Sequence, residues 1–130
     1  MKKQIHYLLI SLMLASASIV SSGCVAVVAG GAAAGGTAYV MGELKVDADA
    51  TPAQIRSAIE RAGKDMNLRR ISGSGDELAG KYTYRTAADE KVTIRYEAKT
   101  ENYAELAIRV GAFGDRSMSV RINDAIQRRL

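Results

Sequence analysis

From Glu43 to Leu130 the chain switches repeatedly between two hydrophobic periods, and the switches mark its elements. Leu44, Val46 and Ala48 alternate with Lys45, Asp47 and Asp49, which predicts a strand with one apolar face. Thr51-Pro52 then supplies a helix start. The hydroxyl can accept from a free amide of the first turn, and proline lacks an N–H that this position does not need. Ile55, Ala58, Ile59, Ala62 and Met66 recur at helical spacing, with Arg56, Glu60, Arg61 and Lys64 mostly off the stripe, so a helix is expected to end near Asn67.

Beyond it the period returns toward two. Leu68 to Ser72 is a short candidate strand, and Gly73-Ser74-Gly75-Asp76 reads as a turn. From Gly80 to Arg85, Tyr82 and Tyr84 share a face opposite Lys81, Thr83 and Arg85. Ala87 to Glu90 turns the chain, and Val92, Ile94 and Tyr96 then alternate with Thr93, Arg95 and Glu97. A turn near Thr100 to Asn102 leads to Ala104, Leu106, Ile108 and Val110. Gly111-Ala112-Phe113-Gly114 interrupts, Asp115 or Ser117 can cap a last helix, and Met118, Ile122, Ala125, Ile126 and Leu130 form its apolar stripe. Short turns favour antiparallel neighbours. The expected fold is therefore α+β in two layers, an antiparallel sheet with two amphipathic helices packed on one face.

The N-terminal part is patterned differently. Met1-Lys2-Lys3 is a short positive head, Tyr7 to Val20 is largely apolar and uncharged, and Ser21-Ser22-Gly23 precede the only cysteine, Cys24. That order reads as a secretory signal. Its end resembles the lipobox of bacterial lipoproteins, with Ser21 where leucine is usual. Cys24 is thus the expected lipidation site, first residue of a mature chain and anchored to a membrane through covalent lipid. Two or more acyl chains are needed for stable anchoring, at about 0.8 kcal/mol per buried methylene. By the same resemblance, Val25 at the second mature position, in place of aspartate, points to the outer membrane with the domain facing the periplasm. The rival readings are an ordinary secretory signal, or a retained helix too short for the roughly 20 residues a crossing needs.

Residues 25–42 carry no charge and five glycines, which suits a Gly/Ala-rich tether; the alternative is a close-packed helix with small-residue surfaces. The expected organisation is a removed signal peptide over 1–23, lipidated cysteine and tether over 24–42, and an α+β domain over 43–130.

Composition narrows the chemistry. Loss of Lys2 and Lys3 from the 18 basic residues leaves 16 against 14 acidic ones, a formal charge of +2 on the mature chain. The charges are interspersed, without the basic stripe of a nucleic-acid-binding surface. His6, the single histidine, leaves with the signal, and Cys24 is taken by lipid. Ser-His-Asp, Cys-His and histidine-based zinc chemistry are thereby excluded, as is an internal disulfide. Carboxylate pairs such as Asp47 with Asp49, Asp76 with Glu77, and Asp89 with Glu90 remain, but a solvated role is expected for each. Tyr82, Tyr84 and Tyr96 are expected in the core, and Tyr39 is a candidate for a lipid interface. No metal or cofactor is expected.

Ile108-Arg109-Val110-Gly111-Ala112-Phe113-Gly114-Asp115-Arg116-Ser117 carries a family resemblance, together with Ser119 to Ile122 and the terminal helix. With Cys24, Tyr39 to Leu44 and the helix from Ala53 to Leu68, it resembles the small bacterial lipoproteins grouped as domain of unknown function 3568. The resemblance implies a location and an architecture but no activity, so no catalytic residue is carried over. Gly111 and Gly114 correspond to its strand-to-helix glycines, expected to make a tight turn with positive backbone angles, and Phe113 is expected to tuck beneath that corner. The functional expectation is a non-catalytic binding or structural protein of the cell envelope. Its rivals are an accessory or assembly subunit with an envelope protein partner, and a carboxylate-dependent hydrolase.

Overall fold

Local chemistry starts and stops each element. In the computed structural model, which describes residues 36–130, the first helix α1 spans Pro52–Asp65. The Thr51 hydroxyl accepts from the Gln54 backbone N–H, while the Gln54 side chain accepts from the Thr51 N–H, a reciprocal capping box. The helix ends where Asn67 takes a left-handed φ of 52°. The Leu68 N–H then reaches the Gly63 carbonyl at 2.8 Å and the Asn67 N–H that of Lys64 at 3.1 Å, satisfying two free carbonyls. The last helix, α2, covers Arg116–Gln127, and of the two proposed caps Asp115 takes the role by accepting from the Met118 N–H at 2.9 Å.

Six strands complete the domain: β1 Thr37–Val40, β2 Glu43–Ala48, β3 Arg69–Gly75, β4 Ala79–Arg85, β5 Lys91–Thr100 and β6 Tyr103–Val110. They form one sheet in the order β1-β2-β6-β5-β4-β3, with every neighbouring pair antiparallel. The expected α+β class with an antiparallel sheet is what the chain adopts. α1 carries the chain from β2 to the far edge at β3, and β6 returns beside β2.

Register explains the core. Val46 pairs Leu106, Leu106 pairs Tyr96, Ile108 pairs Ile94, Ile94 pairs Tyr82, and Val92 pairs Tyr84. Directly paired residues share a face, so these side chains make one continuous apolar surface. All are buried, in one cluster with Ile55, Ala58, Ile59 and Ala62 of α1 and Ile122, Ala125 and Ile126 of α2. Each buried Ile, Leu or Val contributes about 1.5–3 kcal/mol by leaving water.

Two boundaries differ from the sequence reading. Residues 37–40, assigned above to the tether, form β1 and pair with β2 through Tyr39–Leu44 and Thr37–Val46. The fold therefore begins before Gly42, because a short uncharged strand can be held by a neighbour's backbone without a pattern of its own. The Gly73-Ser74-Gly75 run, read as a turn, continues β3, and the reversal falls at Asp76 to Leu78. The segment expected to be a signal peptide, residues 1–23, lies outside the described residues, as do Cys24 and residues 25–35.

Candidate functional site

Positions alternating with the core point to the opposite side of the sheet, and they are ordered in rows. One row runs Lys45, Ala107, Arg95, Lys81 and Ser74 across five strands. The next runs Asp47, Glu105, Glu97 and Ala79. A basic stripe thus lies beside an acidic one, around an open basin of about 790 Å³ floored by small residues such as Ala79, Gly80 and Ala107. Glu105 and Glu97 face each other directly, a like-charge pairing that Lys45 and Lys99 offset at 3.5 and 2.8 Å. Arg95 is ion-paired with Glu43.

Asp76, Glu77 and Asp89, members of the acidic pairs noted in the sequence, are each engaged in local hydrogen bonds or ion pairs. The Asp76 carboxylate accepts the backbone N–H groups of Leu78 and Ala79 at 2.8 and 2.9 Å, forming the β3–β4 turn. Those bonds, that of Ala79 first, draw its pKa below the usual carboxylate range. Glu77 pairs with Arg56 at 3.2 Å, and Asp89 with both Arg69 and Arg85. Glu97 is likewise lowered by its hydrogen bond from Lys99, and Asp65 by that from Arg129. A general acid needs the opposite shift. Asp47 raises the pKa of Tyr103 through a hydrogen bond between their side chains. Among the described residues no cluster of His, Cys, Asp and Glu suited to a metal ion occurs.

Tyr82, Tyr84 and Tyr96 are core residues. The Tyr96 hydroxyl donates to the Asp76 carbonyl at 2.6 Å, where Arg56 also donates at 2.7 Å, so the β3–β4 turn is tied to β5 and α1. Burial pushes the Tyr84 phenol up, and its hydroxyl is buried without a hydrogen-bond partner. Tyr39 packs against the core cluster, and the Arg116 guanidinium sits 5.8 Å from its ring centroid.

A second arrangement was only partly visible in the sequence, through the expected positive backbone angles of Gly111 and Gly114. Gly111 and Gly114 have φ of 72° and 86°, both left-handed. Yet they are not equivalent. A β-carbon on Gly111 would meet only a Glu90 carboxylate oxygen, at 3.9 Å, whereas one on Gly114 would overlap the Gly42 backbone and the Tyr39 hydroxyl. Gly42 in turn has φ 81°, and a β-carbon there would strike the backbone of Phe113 and Gly114. The β1–β2 hairpin and the β6–α2 corner therefore touch main chain to main chain. The corner is braced further: the Gly111 N–H donates to the Lys91 carbonyl at 2.8 Å, the Asp115 N–H to Val110 at 2.8 Å, and Arg109 to the Ala112 carbonyl at 2.7 Å.

On this frame stand two apolar side chains. Phe113 is 95% exposed, so the expectation that it tucks beneath the corner is corrected: left-handed glycines on both sides of the loop turn it outward. Met41 is 89% exposed and holds a left-handed φ of 51° in a two-residue hairpin turn with Gly42. A side chain with a β-carbon costs roughly 1–2 kcal/mol in that conformation, which Asn, Asp or Gly tolerates better. Only the glycines in this arrangement carried a signal in the sequence; the contact joins residues far apart in the chain.

The class defined is an α+β domain with a six-stranded antiparallel sheet, rows of charged residues alternating with its buried rows, and a close-packed two-loop corner. The chain belongs to the family described as protein of unknown function (DUF3568), whose match covers residues 7–129. A search of curated proteins found no match.

Proposed function

We propose that the protein is a lipid-anchored component of the bacterial cell envelope, with a non-catalytic binding or structural role. The observation that carries this reading is the order of positive head, apolar run and small residues directly before Cys24. The anchor is acylated Cys24, the location is the outer membrane with the domain toward the periplasm, and 1–23 are removed. Beside this stands the use of the acidic residues: Asp76, Glu77 and Asp89 are spent on turns and ion pairs, which favours binding over hydrolysis. We read both helices as covering the same sheet face, supported by the single cluster their buried sides share with the inward rows. That leaves the striped face free, and an accessory role in a larger envelope assembly is the second reading, favoured by the basin between Lys45, Lys81 and Glu97.

Mass spectrometry of protein extracted from the envelope tests the anchor. The expected result is a chain starting at Cys24 with acyl groups on its N-terminus, and Cys24→Ser should leave unprocessed precursor in the inner-membrane fraction. A wild-type chain starting elsewhere without lipid contradicts the proposal.

A further inference from the structure

We propose that the Met41–Phe113 corner is a second membrane contact, which dips into the lipid surface and fixes the orientation of the domain; this rests on the lipid-anchor reading above. Two large apolar side chains from different loops are almost fully exposed at one corner, beside a main-chain contact through Gly42 and Gly114. Exposed apolar side chains that lie together, unlike ones scattered singly, mark a candidate contact surface. Met41 makes the case sharper. Its turn position favours asparagine or glycine, so an apolar residue there is disfavoured both by its backbone and by its exposure to water.

The occupant follows from where the chain leads. The twelve residue steps from Cys24 to Gly36 span at most about 43 Å, so an acylated Cys24 keeps the domain beside a bilayer at all times. A nearby surface at such effective concentration needs only a weak second contact to be engaged. Arg116, exposed and stacked over Tyr39, and Arg109, which braces the loop at Ala112, bring cationic groups to the corner and suit anionic headgroups.

The chain contains no tryptophan, so Phe113→Trp is a single fluorescent reporter. The full lipoprotein carrying it is reconstituted into vesicles of phosphatidylethanolamine and phosphatidylglycerol with brominated acyl chains. Ile71→Trp, on the β3 edge, serves as the control for mere proximity. The expected result is a blue-shifted Phe113→Trp emission at least halved by bromine, with Ile71→Trp little affected. Adding Met41→Asn to the reporter should reduce the quenching while leaving the unfolding midpoint unchanged or higher. An unquenched reporter on a chain that mass spectrometry shows to be acylated overturns this inference and leaves the anchor standing. Emission equally shielded with and without vesicles also overturns it, pointing to a protein contact. If Cys24 proves unacylated, the anchor reading fails by itself; the reporter protein, then added to the vesicles from outside, still reads the corner, and no quenching overturns the contact.

Discussion

Glycines gather in two regions of this fold for different physical reasons. At the corner between β6 and α2, Gly114 and its neighbour Gly42 hold left-handed backbone and let two loops meet main chain to main chain. Along β3 and β4, Gly73, Gly75 and Gly80 lie in strands and give room to rings: a β-carbon on Gly73 would overlap Tyr82, and one on Gly75 or Gly80 would overlap Tyr96. The first region uses the freedom of the glycine backbone and the second the missing side chain. Substitutions should separate the two, since strain at the corner cannot be relieved by moving a side chain, whereas a tyrosine ring can shift.

The largest effect is expected at Gly114. Gly114→Val combines a left-handed conformation, costing roughly 1–2 kcal/mol, with overlap against backbone, and overpacking adds about 1–3 kcal/mol. A loss of about 3 kcal/mol in urea unfolding is expected, a large share of the roughly 5–15 kcal/mol typical of a domain. A smaller loss would mean that the corner yields, and the comparison would break there.

Gly80→Val comes next. Valine suits a strand, so the cost is steric alone and about 2 kcal/mol is expected from displacing the Tyr96 ring. The hydrogen bond from Tyr96 to Asp76 should go with it, seen as faster amide exchange at Leu78 and Ala79. Gly111→Ala sharpens the contrast within the corner. At positive φ its β-carbon meets only a Glu90 carboxylate oxygen at ordinary contact distance, so only the conformational cost of about 1 kcal/mol should appear.

The sequence disclosed what is local. Thr51-Pro52 marked the start of α1, and the alternation of Val92, Ile94 and Tyr96 marked β5 with its buried face, because caps and pleats act over a few residues. It did not disclose β1, since Thr37 to Val40 lack alternating charge and are held only by pairing with β2. Nor did it disclose the end of β3: Gly-Ser-Gly has the composition of a turn, and only the tyrosines of β4 and β5 lying over those glycines make it a strand. The outward direction of Phe113 is hidden from the sequence for a related reason. Its apolar ring argued for burial, while its direction depends on the left-handed glycine that follows and on a contact with Gly42, far away in the chain.

The central claim is that the corner is a rigid frame holding apolar tips outward. Urea unfolding of Phe113→Ser tests it most directly, because the frame and the tip should behave oppositely. The ring is 95% exposed, so stability should stay within about 0.5 kcal/mol of wild type, as for surface substitutions in general. A loss of about 2 kcal/mol or more, the scale of a buried aromatic, would show that Phe113 belongs to the core and would contradict the account.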